Sequence, residues 1–270
     1  QDKPYRGQAS VLMGSYGRLD HNVEAAVGDE QKYIRLNANR SVSDSYKDGD
    51  GNAVPSDWER WNADLALGWT PDENTWVELS GGKSDGEAVY AGREMDGSQF
   101  ARESLGLRVE KKNVTEVIKK IEAQVNYSFN DHVMDNFSLR EFKPSGMMSM
   151  PMASNVARET LNARLAVTHE WDKLQFISGL DSQNNEHSKR SGSLMAPYQD
   201  QARSKDMKFR SYGAFGELSY QLSEQNKWVG GVRVDQVNVK DLRSESVEKG
   251  YNRKLDKTLP SAFLRLENQH

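Results

Sequence analysis

Polar and apolar residues alternate strictly along several segments of the chain. Between positions 121 and 129, the odd positions are apolar or aromatic and the even positions are polar. Strict alternation predicts a β-strand with two different faces. The same pattern recurs at positions 61–69, 105–110, 161–168 and 212–221. The chain is therefore predicted to be all-β.

The length of the apolar runs favours a strand that crosses a membrane. Trp61 and Trp69 bracket one run, and they lie about 26 Å apart at roughly 3.3 Å per residue. The lipid-facing band of an outer-membrane barrel is about 25 Å tall and has an aromatic girdle at each edge. A soluble β-sandwich, such as a lectin, also alternates, and it stays open as an alternative.

Short and long connections take turns along the chain, which is typical of an up-and-down barrel. The tight connections fall at 71–74, 112–114, 171–173 and 223–226, and the long ones at 45–57, 88–99, 143–156, 191–205 and 243–255. We count about twelve antiparallel strands between Gln8 and Glu267. The lipid-facing set is expected to be exposed, and it includes Leu65, Leu67, Val125, Tyr127, Leu165 and Val167.

Composition narrows the function without naming it. The chain has 270 residues, of which 36% are hydrophobic, and a formal net charge of −4. No apolar run approaches the ~20 residues of a membrane helix. There is no cysteine, so thiolate metal sites are excluded within this chain. The charges form no basic stripe, and we expect no nucleic-acid partner.

One strand carries the candidate chemistry. The polar face of the 121–129 strand continues through Asn130 to His132 and Met134. An imidazole and a thioether one pleat apart are a candidate site for a soft metal ion such as Cu(I). A methionine cluster follows at Met147, Met148, Met150 and Met152. Its members either capture copper or fill gaps in an outer loop.

The other histidines lack such a neighbour. His21, His169 and His187 have no ligand-like residue two to four positions away. We interpret them as ordinary polar positions.

Several segments resemble one family. They are the 5–12 entry segment, the 61–71 strand, the 90–98 segment, His132 with Met134, and the 147–152 methionine cluster. All are similar to the TonB-dependent copper receptors of Gram-negative outer membranes. The resemblance covers essentially the whole chain, 1–270, as the N-terminal part of the barrel. The His-x-Met element and the methionine cluster are its most specific parts.

The resemblance implies a transmembrane β-barrel of 22 strands, of which this chain holds about 12, closed by an N-terminal plug that is absent here. In that family, copper is bound where the His-x-Met element of the barrel meets a Cys-x-x-x-Met element of the plug. The matching residues here are His132 and Met134. The implied partners are copper, outer-membrane lipid and lipopolysaccharide, and the TonB complex acting through the plug.

Two further functions stay open. One is a TonB-dependent receptor for another metal chelate or a siderophore. The other is a barrel enzyme, such as a lipase or protease, but no Ser/His/Asp order stands out in the sequence. We prefer the hypothesis that the protein is a copper receptor and not an enzyme.

Overall fold

The protein is built almost entirely from antiparallel strands. The computed structural model describes residues 4–146, 148–243 and 254–269. The strands are β1 (Tyr5–Met13), β2 (Leu19–Gly28), β3 (Lys32–Ser43), β4 (Tyr46–Lys47), β5 (Ala53–Val54), β6 (Trp58–Trp69), β7 (Thr75–Ala88), β8 (Asp96–Lys112), β9 (Ile118–Asp135), β10 (Met152–Trp171), β11 (Leu174–Ser193), β12 (Ser204–Gln221), β13 (Asn226–Asp241) and β14 (Lys254–Asn268).

Twelve of these strands form one sheet in the order in which they follow along the chain. The exceptions are β4 and β5, which pair with each other in the connection between β3 and β6. No pairing within the described residues joins β1 to β14. The predicted count of about twelve strands in an unclosed up-and-down barrel wall is confirmed.

The connections differ at the two ends of the sheet. At one end they span only two to five residues, as at 172–173 and 70–74. At the other end they span five to sixteen residues, as at 136–151 and 194–203. Positive φ values at Asn113 and Asp172 allow two of the tight turns, because short Asn and Asp side chains tolerate the left-handed conformation.

The register brings apolar residues together on one face of the sheet. Leu36 lies opposite Leu65, Leu105 opposite Tyr127, and Leu165 opposite Leu180. This face is open: Leu65 and Val125 each keep 44% of their surface. A continuous exposed apolar face of this kind marks a membrane contact. We call it the lipid face and the opposite one the lumen face.

Two members of the predicted exposed set are half-buried instead. The Tyr127 hydroxyl donates a hydrogen bond to Glu159 (3.1 Å), which holds the ring against β10. Val167 lies directly opposite Ile121 on the neighbouring strand. Alternation gives the face on which a side chain lies, but its neighbours decide how much of it is covered.

The lumen face is polar and rich in ion pairs. The Arg233 guanidinium spans Asp181, at 2.6 and 2.9 Å, and Asp235. Near the tight-turn end, the Tyr33 hydroxyl donates to Glu78, and the indole of Trp76 donates to Tyr33 (2.9 Å). The polar sides of the strands therefore satisfy one another away from lipid.

Strands β9 to β11 are longer than a membrane crossing needs, at 18 to 20 residues each. Two predicted loops, 143–156 and 191–205, are therefore partly strand. Buried Asn155 explains part of the extension. Its side chain donates to the His132 carbonyl (3.0 Å) and accepts a hydrogen bond from Arg190 (2.7 Å). Polar strand ends of this kind look like loops in a sequence.

Within the described ranges, no helix is long and apolar enough to cross a membrane.

Candidate metal centre

Strand β9 places His132 and Met134 on the lumen face. Its pairing with β10 is unbroken from Lys120 to Asp135, with His132 opposite Val156 and Met134 opposite Ser154. Both residues therefore share the face of Gln124 and Asn126. They lie beyond Phe129, toward the end of the sheet that carries the long connections. The regular strand on which the sequence prediction depended is present.

The His132 imidazole is held between strands. It stacks on the Phe100 ring of β8, with centroids 4.5 Å apart and planes inclined by 22°. Its Nε2 atom is buried and has no hydrogen-bond partner in the structure. A neutral imidazole with a free nitrogen is the form that a metal ion binds.

Gly97 leaves room for the Phe100 ring beside His132. The register of β8 shifts between Gly97 and Gln99, and Gly97 lies opposite Met134. A Cβ atom at Gly97 would collide with the Phe100 ring. Glycine at this position therefore lets Phe100 pack across the strand, where it stacks on His132.

A hydrogen-bond network around buried Asn155 holds β9 in place on the face opposite to the His132 side chain. The Asn155 amide, which is 0% exposed, donates to Asp131 as well as to the His132 carbonyl. The Arg203 guanidinium reaches Asp131 at 3.3 Å. These bonds hold both sides of the His132 peptide, so they limit the movement of the imidazole.

The methionine cluster is only partly gathered at this site. Met152 begins β10 and shares the lumen face with Ser154, one pleat beyond the partner of Met134. Met150 is 64% exposed in the loop, and Met148 is half-buried there. Met147 lies outside the described residues.

Asn136 ties the base of this loop together. It donates to the Met150 carbonyl (3.1 Å) and accepts from the Met152 amide (2.9 Å).

One pair of soft donors escaped the sequence analysis. His187 lies directly opposite Met207 on the lumen face, next to Arg158. The search for ligands within four positions missed this pair, since its members are twenty residues apart and meet only across β11 and β12. Phe100 was missed for the same reason. The register between paired strands brings these residues together, and the sequence of a single strand does not give that register.

An open wall of long antiparallel strands, with an apolar outer face and a polar lumen, defines a barrel of the outer-membrane receptor class. The family described as TonB dependent receptor-like, beta-barrel, matches residues 37–268. The chain belongs to this family. No curated protein sequence matches it.

Several solved structures are similar to this chain. The copper transporter OprC is 48% identical, with a TM-score of 0.90 over 98% of this chain and 44% of that one. The chain thus spans less than half the length of OprC. The FpvAI receptor in its complex with pyocin S2 (TM-score 0.71, covering 96% of this chain and 41% of that one) and the ferric-catecholate import receptor Fiu of E. coli K12 (TM-score 0.66, 98% and 51%) are each 10% identical and share the fold.

Proposed function

We propose that the chain is the copper-binding half-wall of an outer-membrane receptor that imports copper. His132 and Met134 bind the ion in the lumen, as Cu(I). The observation that carries this proposal is the buried, partnerless Nε2 of His132, one pleat from a thioether. An imidazole and a thioether favour a soft ion over Zn(II) or Fe(III). The likeness to OprC supports copper as the cargo.

The proposed location in the outer membrane follows from the different chemistry of the lipid face and the lumen face. The lipid face contacts the lipid and lipopolysaccharide of a Gram-negative outer membrane, and the lumen face meets the plug of the complete protein. The plug connects the receptor to the TonB complex, which supplies the energy for import.

The methionine loop extends the proposed path outward. Exposed Met150 receives copper first, and Met152 passes it along the lumen face to Met134. Met148 belongs to the same loop, and Met147 is included on its sequence position alone. Each methionine offers a single soft sulfur donor. Copper therefore binds weakly to each one and can pass to the next.

The proposal is tested by the copper content of the complete receptor. We expect His132→Ala and Met134→Ala to lose most of the bound copper while the barrel stays folded, because lumen positions contribute little to the stability of the wall. Met195→Ala is the matched control, since this methionine is 95% exposed in another connection. Elemental analysis of equal amounts of protein provides the comparison.

Two outcomes would contradict the proposal. Equal copper in all four proteins would remove His132 and Met134 from the site. A receptor that binds an iron chelate but no copper would favour the siderophore-receptor alternative.

A further inference from the structure

A second pair of soft donors lies on the lumen face, across β11 and β12. His187 lies directly opposite Met207. Residues in this relation on antiparallel strands have Cβ atoms about 4.5–5.5 Å apart, so an imidazole nitrogen and a thioether sulfur can contact one ion from two sides. His187 is half-buried, and within the described residues its side chain makes no hydrogen bond, ion pair or ring contact. The imidazole is therefore available to a ligand.

A β-bulge adjoins this pair. The register between β11 and β12 shifts just after His187, and Asp206 is left as an extra residue on β12. One carboxylate oxygen of Asp206, Oδ1, is buried and has no hydrogen-bond partner in the described part of the chain. A buried carboxylate without its full set of partners costs free energy, and a nearby cation offsets that cost. The bulge therefore places a negative charge next to Met207 that favours a cation.

The basic residues near the pair are exposed. Arg158 lies opposite His187 on β10, and Lys189 is the next lumen-face residue of β11. Both side chains are exposed, so their charged ends extend into solvent, which screens them.

Apolar residues border the pair on its other side. Phe209 is the next lumen-face residue of β12 toward the tight-turn end, and it lies opposite Val239. Both are half-buried. The cost of moving an ion from water to an apolar surface grows with the square of its charge, so a monovalent ion loses less free energy here than a divalent one.

We propose that His187 and Met207 form a second Cu(I) site on the lumen wall, separate from His132. This inference deepens the proposed copper import and rests on it for the identity of the ion. One imidazole and one thioether favour a soft ion over Zn(II) or Fe(III), and the Asp206 carboxylate adds to the attraction. Met207 keeps 38% of its surface exposed. The ion therefore exchanges with solvent and is bound more weakly than at the buried Nε2 of His132.

The second site lies inward of the first. Val156, the partner of His132, lies opposite Lys189 on β11, and His187 is two residues nearer the tight-turn end. Two strand spacings of roughly 4.8 Å and two residues of roughly 3.3 Å place His187 about 12 Å from His132 across the sheet. Tight turns mark the periplasmic end of such barrels. The pair is therefore placed to receive an ion that leaves His132 inward.

The test counts the ions bound to the complete receptor. Equilibrium dialysis against increasing free Cu(I) under reducing conditions is followed by elemental analysis. The double variant is His187→Ala with Met207→Leu, and Met207→Leu alone is a milder change that nearly conserves side-chain volume. The control is His21→Ala with Met195→Leu, which removes an imidazole on β2 and a thioether in the connection after β11. His132→Ala is measured in parallel.

We expect the double variant to bind one ion fewer than the wild type, and Met207→Leu to bind that ion at least about tenfold more weakly. The control should match the wild type. Desalting should remove this ion and leave the tighter one, which only His132→Ala should lack.

Three results would contradict these proposals, and they can be told apart. The same number of ions in the double variant and the wild type, or the same loss in the control, would overturn the second site. Equal filling of the second site by Zn(II) would overturn the choice of a soft ion. Unchanged tight binding in His132→Ala would instead overturn the proposed function.

Discussion

His132 is the residue on which the functional account depends. Its position on the polar face of a strand was predictable, because alternation fixes the face of every second residue. Its contact with Phe100 was not, since the two residues are 32 positions apart and meet only through the pairing of β8 with β9. The unpartnered Nε2 is likewise visible only in three dimensions.

We predict that Phe100→Leu weakens copper binding without unfolding the barrel. The stack orients the imidazole, and an aromatic pair contributes about 0.5–1.5 kcal/mol beyond its buried area. Loss of the stack should therefore lower the affinity roughly two- to tenfold. A competition titration with a Cu(I) chelator on the complete receptor measures this. Phe263→Leu, a lumen-face change far along the sheet, is the control, and an unchanged affinity in Phe100→Leu would show that the stack does not orient the ligand.

At the scale of the strand, the outer ends of β9 and β10 show which parts of a strand the alternation of polar and apolar residues can predict. The pattern predicted the band between 121 and 129 and the face of His132. It did not predict that β10 begins at Met152 or that β11 continues to Ser193. Beyond the lipid, a polar segment reads equally well as strand or loop. The choice is made by cross-strand bonds such as those of Asn155.

We predict that Asn155→Ala loosens the outer end of β9. The change leaves the half-buried side chains of Asp131 and Arg190 without their shared hydrogen-bond partner, which costs about 1–3 kcal/mol locally. Hydrogen exchange at residues 131–135 should become faster, whereas exchange within the lipid band should not change. Asn62→Ala, which removes a lumen contact to Asp64 (3.1 Å), provides the comparison. Unchanged exchange at 131–135 would show that other contacts hold this end.

At the scale of the whole molecule, one sheet separates two environments. The order of the strands and the identity of the two faces followed from the hairpin pattern and the alternation, and the structure confirms both. The ion-pair networks of the lumen did not follow from the sequence. They join strands that pair through a register that no single segment specifies.

We predict that charge is tolerated on one face only. Leu165→Lys, which lies opposite Leu180 near the middle of the apolar band, should destabilise the receptor in a bilayer by about 2–4 kcal/mol. Asn126→Lys, on the lumen face, should have a much smaller effect. Urea titration of the complete receptor refolded in lipid measures both. Equal effects would contradict the assignment of the lipid face.

The central claim is that His132 binds copper directly. X-ray absorption at the copper edge, on the complete receptor loaded with Cu(I), tests it most directly. Met134 supplies a sulfur donor in the proposed site, so the imidazole of His132 is the ligand whose contribution can be told apart. The account predicts an imidazole-nitrogen contribution in the wild type that disappears in His132→Ala. The same imidazole contribution in both proteins would contradict it.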